Sequence, residues 1–291
     1  MEESKGLINI GDLSKPATVL IEKISDAIGG IFKPYQIRRV AQAKAEADKI
    51  NAAAQIEISE LQRRALHRFI IEEAKKQHNI ESITRKALTE VAADADPQKV
   101  EDDWITNFFD KCRLISDEEM QSLWARLLAG EANSPGRFSK RTIDLVSSLD
   151  KFDADVFSKV CSFSFMIGGL YPLIYDVENE VYTKRGLGFN TLSHLDSIGL
   201  IQFDPLAGFV RRHLGQKGHV SYFDKQVWIE FEKLEENDVR VGHVLLTKAG
   251  EQLAPICNST PCDGFIEYVQ EKWRGFNYKT EPQASQDGDK K

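Results

Sequence analysis

The chain has 291 residues, 42% of them hydrophobic, which suffices for two modest domains or for one domain and an extended arm. With 38 basic against 45 acidic side chains the net charge is −7, which excludes bulk affinity for nucleic acid but leaves room for a local basic patch. Four cysteines, Cys112, Cys161, Cys257 and Cys262, are too few for a disulfide framework in a chain this long and read as reduced thiols.

Residues 1–35 form an N-terminal amphipathic segment. Its first residues carry no signal-peptide core. Pro16 suits a first helical turn, and Ala17, Leu20, Ile21, Ile24, Ala27, Ile28 and Ile31 recur at three-to-four spacing until Gly29-Gly30 and Pro34 end or hinge the helix. Two readings stay open for its apolar face, Leu20, Ile24, Ile28, Ile31 and Phe32, with Arg38 and Arg39 beyond it. It docks on protein, or it lies peripherally on the inner membrane with the basic residues at anionic headgroups. Residues 36–93 predict a long helical oligomerisation arm. From Gln36 to Val91 there is no proline or glycine, and a heptad-like seam that includes Ile50, Ile58, Leu61 and Phe69 needs a neighbour, with Asn79 as the expected break.

Residues 94–150 predict a helical middle domain. Trp104, Phe108 and Phe109 share one side of a helix over 100–114, Ser116-Asp-Glu-Glu caps the next, and Asn133-Ser-Pro-Gly is a loop before a helix at 139–149. Residues 151–276 change character. A helix at 153–165 and another at 187–198, stopping at Gly199, are followed by alternations at 220–223, 227–231 and 239–246 and by the cap Thr247-Lys-Ala-Gly. This order predicts a winged-helix-like module. The polar tail, 277–291, predicts disorder. The expected fold class is mainly α, with the long arm, the helical middle domain and an α+β winged-helix-like C-terminal domain. The longest apolar stretch, 156–175, is interrupted by Lys159, Gly168-Gly169 and Pro172, so no membrane span is expected and the chain reads as cytoplasmic.

No residues stand out as catalytic. Asp102-Asp103 and Asp117-Glu118-Glu119 sit where helix starts favour acidic groups, and no phosphate-binding loop, nucleophile elbow or metalloprotease motif occurs. Cys257 and Cys262 make a C-x4-C pair without a second pair, so no metal and no cofactor are expected. Arg63, Arg64 and Arg68 lie within helical reach of Glu60, Glu72 and Glu73, which reads as a salt-bridged face. Nucleic-acid contacts, if present, fall to Lys184, Arg185, Arg211 and Arg212, a poor set for a base-reading helix.

Four stretches carry a resemblance: Ile24 to Val40, Gln62 to Phe69, Gln77 to Thr84, and above all Ser116 to Thr142 with its Leu-Trp-Ala-Arg-Leu-Leu-Ala-Gly-Glu-Ala-Asn-Ser-Pro-Gly core. Together they resemble the bacterial family called domain of unknown function 2806, over about residues 15–255. The Ser116 to Thr142 stretch is also similar to the abortive-infection alpha family. The resemblance transfers no catalytic residue. It implies a setting, defence against bacteriophage, with a possible partner protein of the same system. The expected function is that of a non-enzymatic homo-oligomer acting through protein contacts or membrane placement. The alternative is a nucleic-acid-binding sensor or regulator.

Overall fold

A computed structural model describes residues 13–29 and 59–282, and the chain divides into two compact units between Ser147 and Ser148.

In the first unit, helix α1 (Lys15–Ile28) starts at Ser14, whose hydroxyl accepts from the Ala17 amide, and stops at Gly29 with φ 69°. Leu20, Ile21 and Ile24 are buried where α1 packs on α3 (Asp102–Cys112) and on the single turn Pro97–Lys99. Lys23 fixes this contact by donating to the carbonyls of Gln98 and Val100 and pairing with Asp102 at 3.1 Å.

Helix α2 (Glu60–Leu88) has 29 residues, about 43 Å at 1.5 Å per residue. The expected unbroken helix from Gln36 to Val91 is corrected at its middle. Ser59 has ψ 153°, outside helical space, and forms a capping box in which its hydroxyl accepts from the Gln62 amide while the Gln62 carboxamide accepts from the Ser59 amide. The expected break at Asn79 does not occur either. Asn79 is buried within α2, donating to the Arg113 carbonyl at 2.9 Å and to the Ser116 hydroxyl at 3.2 Å. It also accepts from Gln121 on α4 (Glu118–Asn133) at 3.3 Å. Gln121 in turn donates to the Ile115 carbonyl and accepts from Ser82. An asparagine that reads as a helix breaker by propensity is kept by partners 34 to 42 residues away.

Helix α4 is capped by Asp117, which accepts from the Glu119 and Met120 amides at 3.0 Å. Trp124 meets Phe108 edge-on at 5.2 Å, and the Trp104 indole donates to the Phe138 carbonyl at 2.8 Å. The loop before α5 (Lys140–Ser148) is held by Glu131, a buried carboxylate accepting from the Gly136 amide at 2.6 Å and the Phe138 amide at 2.9 Å. Gly130 is needed beside it, since a Cβ there would meet the Phe138 ring at 2.8 Å. The Gly130 to Phe138 part of the sequence signature is thus a loop-fixing device.

The second unit begins with α6 (Lys151–Cys161), opened by a reciprocal Asp150–Asp153 capping box. Asp153 also contacts His194 Nε2 at 2.6 Å, tying α6 to α8 (Phe189–Ser197). A short α7 (Glu180–Thr183) precedes α8; α9 (Lys248–Leu253), the turn Ala254–Ile256 and α10 (Phe265–Gly275) come late. The strands are β1 (Ser164–Met166), β2 (Leu170–Pro172), β3 (Ile201–Phe203), β4 (Phe209–Leu214), β5 (Lys217–Tyr222), β6 (Lys225–Glu230), β7 (Asn237–Gly242), β8 (Val244–Leu246) and β9 (Lys279–Pro282). They form an antiparallel sheet in the order β2-β1-β5-β6-β9 and two separate pairs, β3 with β8 and β4 with β7.

This topology corrects the expected fold class. The chain is mixed α+β, with ten α-helices among the described residues and small antiparallel sheets confined to the second unit, and not mainly α with a winged helix. The β5–β6 hairpin that alternation marked as a wing lies inside the five-stranded sheet, bonded to β1 and β9 on its two sides. The helix expected over 153–165 ends at Cys161, where strand β1 follows. The Thr247-x-x-Gly250 signal is a close approach. The Thr247 hydroxyl donates to the Gly199 carbonyl at 2.7 Å, and a Cβ at Gly250 would meet the Leu200 carbonyl oxygen at 2.1 Å.

Aromatic packing centres on Phe265, with Phe163 at 4.9 Å and Tyr222 at 5.4 Å. Buried tyrosines bridge segments by donating and accepting at once. Tyr222 donates to the Ser162 carbonyl and accepts from the Cys262 amide, both at 2.6 Å; Tyr182 donates to the Leu173 carbonyl at 2.6 Å. Burial pushes both phenols above their ordinary pKa.

Two outcomes test the first unit. Asn79→Ala and Gln121→Ala should each lower unfolding free energy by about 1–3 kcal/mol. Their double variant should fall short of the sum by about 0.5–3 kcal/mol, read by urea denaturation, because each single change already strands the other amide. Burial raises the Glu131 pKa against the opposing pull of the Phe138, Gly136 and Arg137 amides. The folded state then binds a proton that the unfolded state has lost, so stability falls as pH rises from the ordinary carboxylate range through the raised value. The margin of the native chain over Glu131→Gln should therefore be larger at pH 4 than at pH 7 in thermal melts.

Candidate interaction surface

The residues that face solvent with the least physical reason to do so are on α2. Every side chain from Ser59 to Lys75 is exposed, including Leu61, Leu66, Phe69, Ile70 and Ile71, which expose between 43% and 68% of their surface. Leu61, Ala65, Leu66, Phe69 and Ile70 stand at i, i+4, i+5, i+8 and i+9, one broad side of a 3.6-residue helix. No described element covers them, whereas Ile83, Ala87 and Leu88 in the second half are buried. The contrast follows from length, because α4 has 16 residues against the 29 of α2.

Charge around this face is balanced along the helix. Arg63 pairs with Glu60 at 3.7 Å, Arg68 with Glu72 at 3.5 Å and Lys76 with Glu73 at 2.6 Å. Exposed pairs of this kind contribute about 0.3–0.5 kcal/mol each and leave the apolar side chains to dominate. Where α2 becomes covered, a groove of about 380 Å³ opens in the first unit, walled by Ile28, Gln77, Ile80 and Phe109 among others.

The expected sites are distributed as follows. Leu61 and Phe69 lie on the exposed face, while Ile50 and Ile58 fall outside the described residues. Leu20 and Ile24 of the docking or membrane set are buried inside the first unit, Ile28 is half-buried, and Ile31, Phe32, Arg38 and Arg39 fall outside the described residues. Of the nucleic-acid set, Lys184 pairs with Glu180 on α7, and the Arg185 guanidinium stands over the Phe163 ring at 6.0 Å. Arg211 and Arg212 belong to β4, where Arg211 donates to the Arg212 carbonyl at 2.8 Å. Lys184 and Arg185 therefore follow the end of α7 while Arg211 and Arg212 lie on β4, and none of the four is on α8. Among the described residues no group of three or more His, Cys, Asp or Glu side chains could hold a metal, and no helix is long and apolar enough to cross a membrane. The Asp153–His194 contact escaped sequence reading because its members are 41 residues apart.

Residues 63–270, well over half of the chain, match the model of a family described as Protein of unknown function (DUF2806). The chain belongs to this family. No curated protein and no solved structure matches it. The match takes in α2 from Arg63 onward, so most of the exposed face lies within the DUF2806 span.

If this face is a surface feature and no part of the DUF2806 core, charging it will spare the fold. Leu61→Asp with Phe69→Asp should shift the unfolding free energy of the monomer by less than about 0.5 kcal/mol per site, measured by denaturant titration at protein concentrations too low for self-association.

Proposed function

We propose that this DUF2806 protein acts through protein contacts, without catalysis, by pairing the exposed face of α2 with the same face of a second copy. The observation that supports the reading is the run of uncovered apolar side chains between Leu61 and Ile71. Fully burying a leucine, isoleucine or phenylalanine side chain is worth roughly 1.5–3 kcal/mol. Four such side chains from each copy yield a sum of the same order as the estimated 4–15 kcal/mol cost of association.

The setting we propose is bacterial anti-phage defence of the abortive-infection type, with a second protein of the system as a further partner. It rests on our reading of the Ser116 to Thr142 stretch as resembling the abortive-infection alpha family. Membrane placement of residues 17–39 has less support, since it would have to expose Leu20 and Ile24, which are buried against α3.

Sedimentation at tens of micromolar tests the assembly. A dimer or larger species is expected, with the Leu61→Asp, Phe69→Asp variant at least tenfold weaker in Kd. A native chain that stays monomeric overturns the pairing. Phage plating on hosts that carry the native or the charged variant tests the setting, with protection expected from the native chain and lost in the variant. Equal plating on hosts with and without the native gene overturns the defence role.

A further inference from the structure

A pocket of about 310 Å³ lies in the second unit, where the loop between β6 and β7 meets the chain between α10 and β9. Its apolar wall is aromatic. The Tyr278 ring stands 5.1 Å from that of Phe231 and 5.9 Å from that of Phe276. The Tyr278 hydroxyl donates to the Asp238 carbonyl at 3.0 Å and its amide to the Trp273 carbonyl at 2.9 Å, so the row is anchored to both β7 and α10. The rest of the lining is acidic. Glu232, Glu236 and Asp238 are exposed along the same pocket, against one ammonium, that of Lys233. Glu230, just ahead of the loop, pairs with Lys217, whereas among the described residues no cation pairs with Glu232, Glu236 or Asp238.

Asn237 is a second, uncharged sign that the pocket suits a ligand bearing N–H donors. It is 6% exposed and forms part of the wall. Its carboxamide nitrogen donates to the carbonyls of Leu214 at 3.2 Å and Lys233 at 2.9 Å. Those two bonds fix the orientation of the amide and leave its oxygen an acceptor with no partner among the described residues. A buried acceptor in that position favours an N–H donor from outside the chain.

Unpaired carboxylates, a free amide oxygen and aromatic rings together match a cation that carries both N–H groups and hydrocarbon. The rings already accept one cation, since the Arg240 guanidinium stands over Phe276 at 4.8 Å. A bare metal ion is a poor match, because among the described residues no three His, Cys, Asp or Glu side chains come together closely enough to hold one. Carboxylates that share a pocket without converging call for positive charges held apart on one molecule.

We propose that this pocket binds a small aliphatic polyamine. Its ammonium groups lie at Glu232, Glu236 and Asp238, one N–H donates to the Asn237 oxygen, and the methylene links run against Phe231, Tyr278 and Phe276. The volume falls at the lower end of the roughly 300–1,000 Å³ range of ligand pockets, which suits a single unbranched molecule. The site belongs to the second unit and does not depend on the pairing of α2.

Equilibrium dialysis of the full-length protein against labelled spermidine tests the proposal. Salt at about 0.15 M screens the diffuse attraction of an acidic chain beyond about 8 Å. One equivalent should bind saturably. Glu236→Gln with Asp238→Asn should weaken binding at least tenfold. Asp224→Asn with Asp263→Asn removes the same charge beside Tyr222 and the turn that joins β5 to β6, and should leave binding within twofold. Both pairs change exposed side chains only. Propylamine, with a single charge, should compete at least tenfold less well than spermidine, and equimolar magnesium should displace none of it. Absence of saturable binding, an equal loss in the two double variants, or displacement by magnesium would each overturn the proposal. A pentalysine peptide that competes better than spermidine would assign the pocket to a protein partner and overturn it as well.

Discussion

The first unit depends on a buried pair of amides. Asn79 and Gln121 have no water to turn to, so each must meet the other together with the carbonyls of Arg113 and Ile115 and the hydroxyls of Ser116 and Ser82. Only one sliding position of α2 against α4 satisfies all of these, and leucine-on-leucine packing alone would tolerate several. Once that position is set, the rest of α2 has no choice. Its second half lies on α4, and the turns before Lys76 extend beyond what the shorter helix covers, carrying Leu61, Leu66, Phe69 and Ile70 into solvent. The candidate interaction face is therefore a consequence of register as much as of composition.

What sequence pattern could reveal divides along the range of the interactions. Some helix termini were legible, because capping is settled within three or four residues: Pro16 in α1, the acidic start of α4, and the end of α1 at Gly29; the equally local Ser59–Gln62 box that opens α2 was passed over because the heptad-like spacing runs through it. Asn79 was misread because propensity describes a residue with its neighbours, and its partners come from the turn ahead of α4 and from α4 itself. The wing was misread for a related reason. Alternation at 220–223 and 227–231 identifies strands but is silent on their neighbours, and only β1, β2 and β9 around them decide whether the hairpin stands free. Strand β9 lies wholly in the stretch 277–291 whose polarity predicts disorder, held there by backbone bonds to β6 that composition does not record. For the candidate face, Leu61 and Phe69 could be picked out from heptad-like spacing, yet the same spacing fits a helix buried in its own domain. Exposure is what separates the two cases.

The second unit relies on a different economy. Its strands are short, three to six residues each, so few ladder bonds hold any one pair, and side chains take over part of the task. Tyr222 and Tyr175 each join one segment's carbonyl to another segment's N–H, and Tyr182 ties α7 to the segment after β2 through the Leu173 carbonyl and the Tyr175 amide. The same crowding brings Ser162, just past α6, and Cys262, ahead of α10, together around Tyr222, which donates to the carbonyl of one and accepts from the amide of the other.

The strands from β3 to β8 pair like brackets: β5 with β6 innermost, β4 with β7 around them, β3 with β8 outermost. Formed alone, the outermost pair would have to close a loop of 40 residues, 204–243. Taken from the inside, the β5–β6 hairpin closes over Phe223 and Asp224, after which β4 and β7 lie two and six residues from its ends. β3 and β8 then lie five residues and one residue further out. Closure entropy grows with the logarithm of the free length, so each step is cheaper for the one before it. A mean sequence separation that would mark this unit as a slow folder hence overstates the search the chain must make, because ends distant along the backbone are drawn together by a zipper that starts at a two-residue turn.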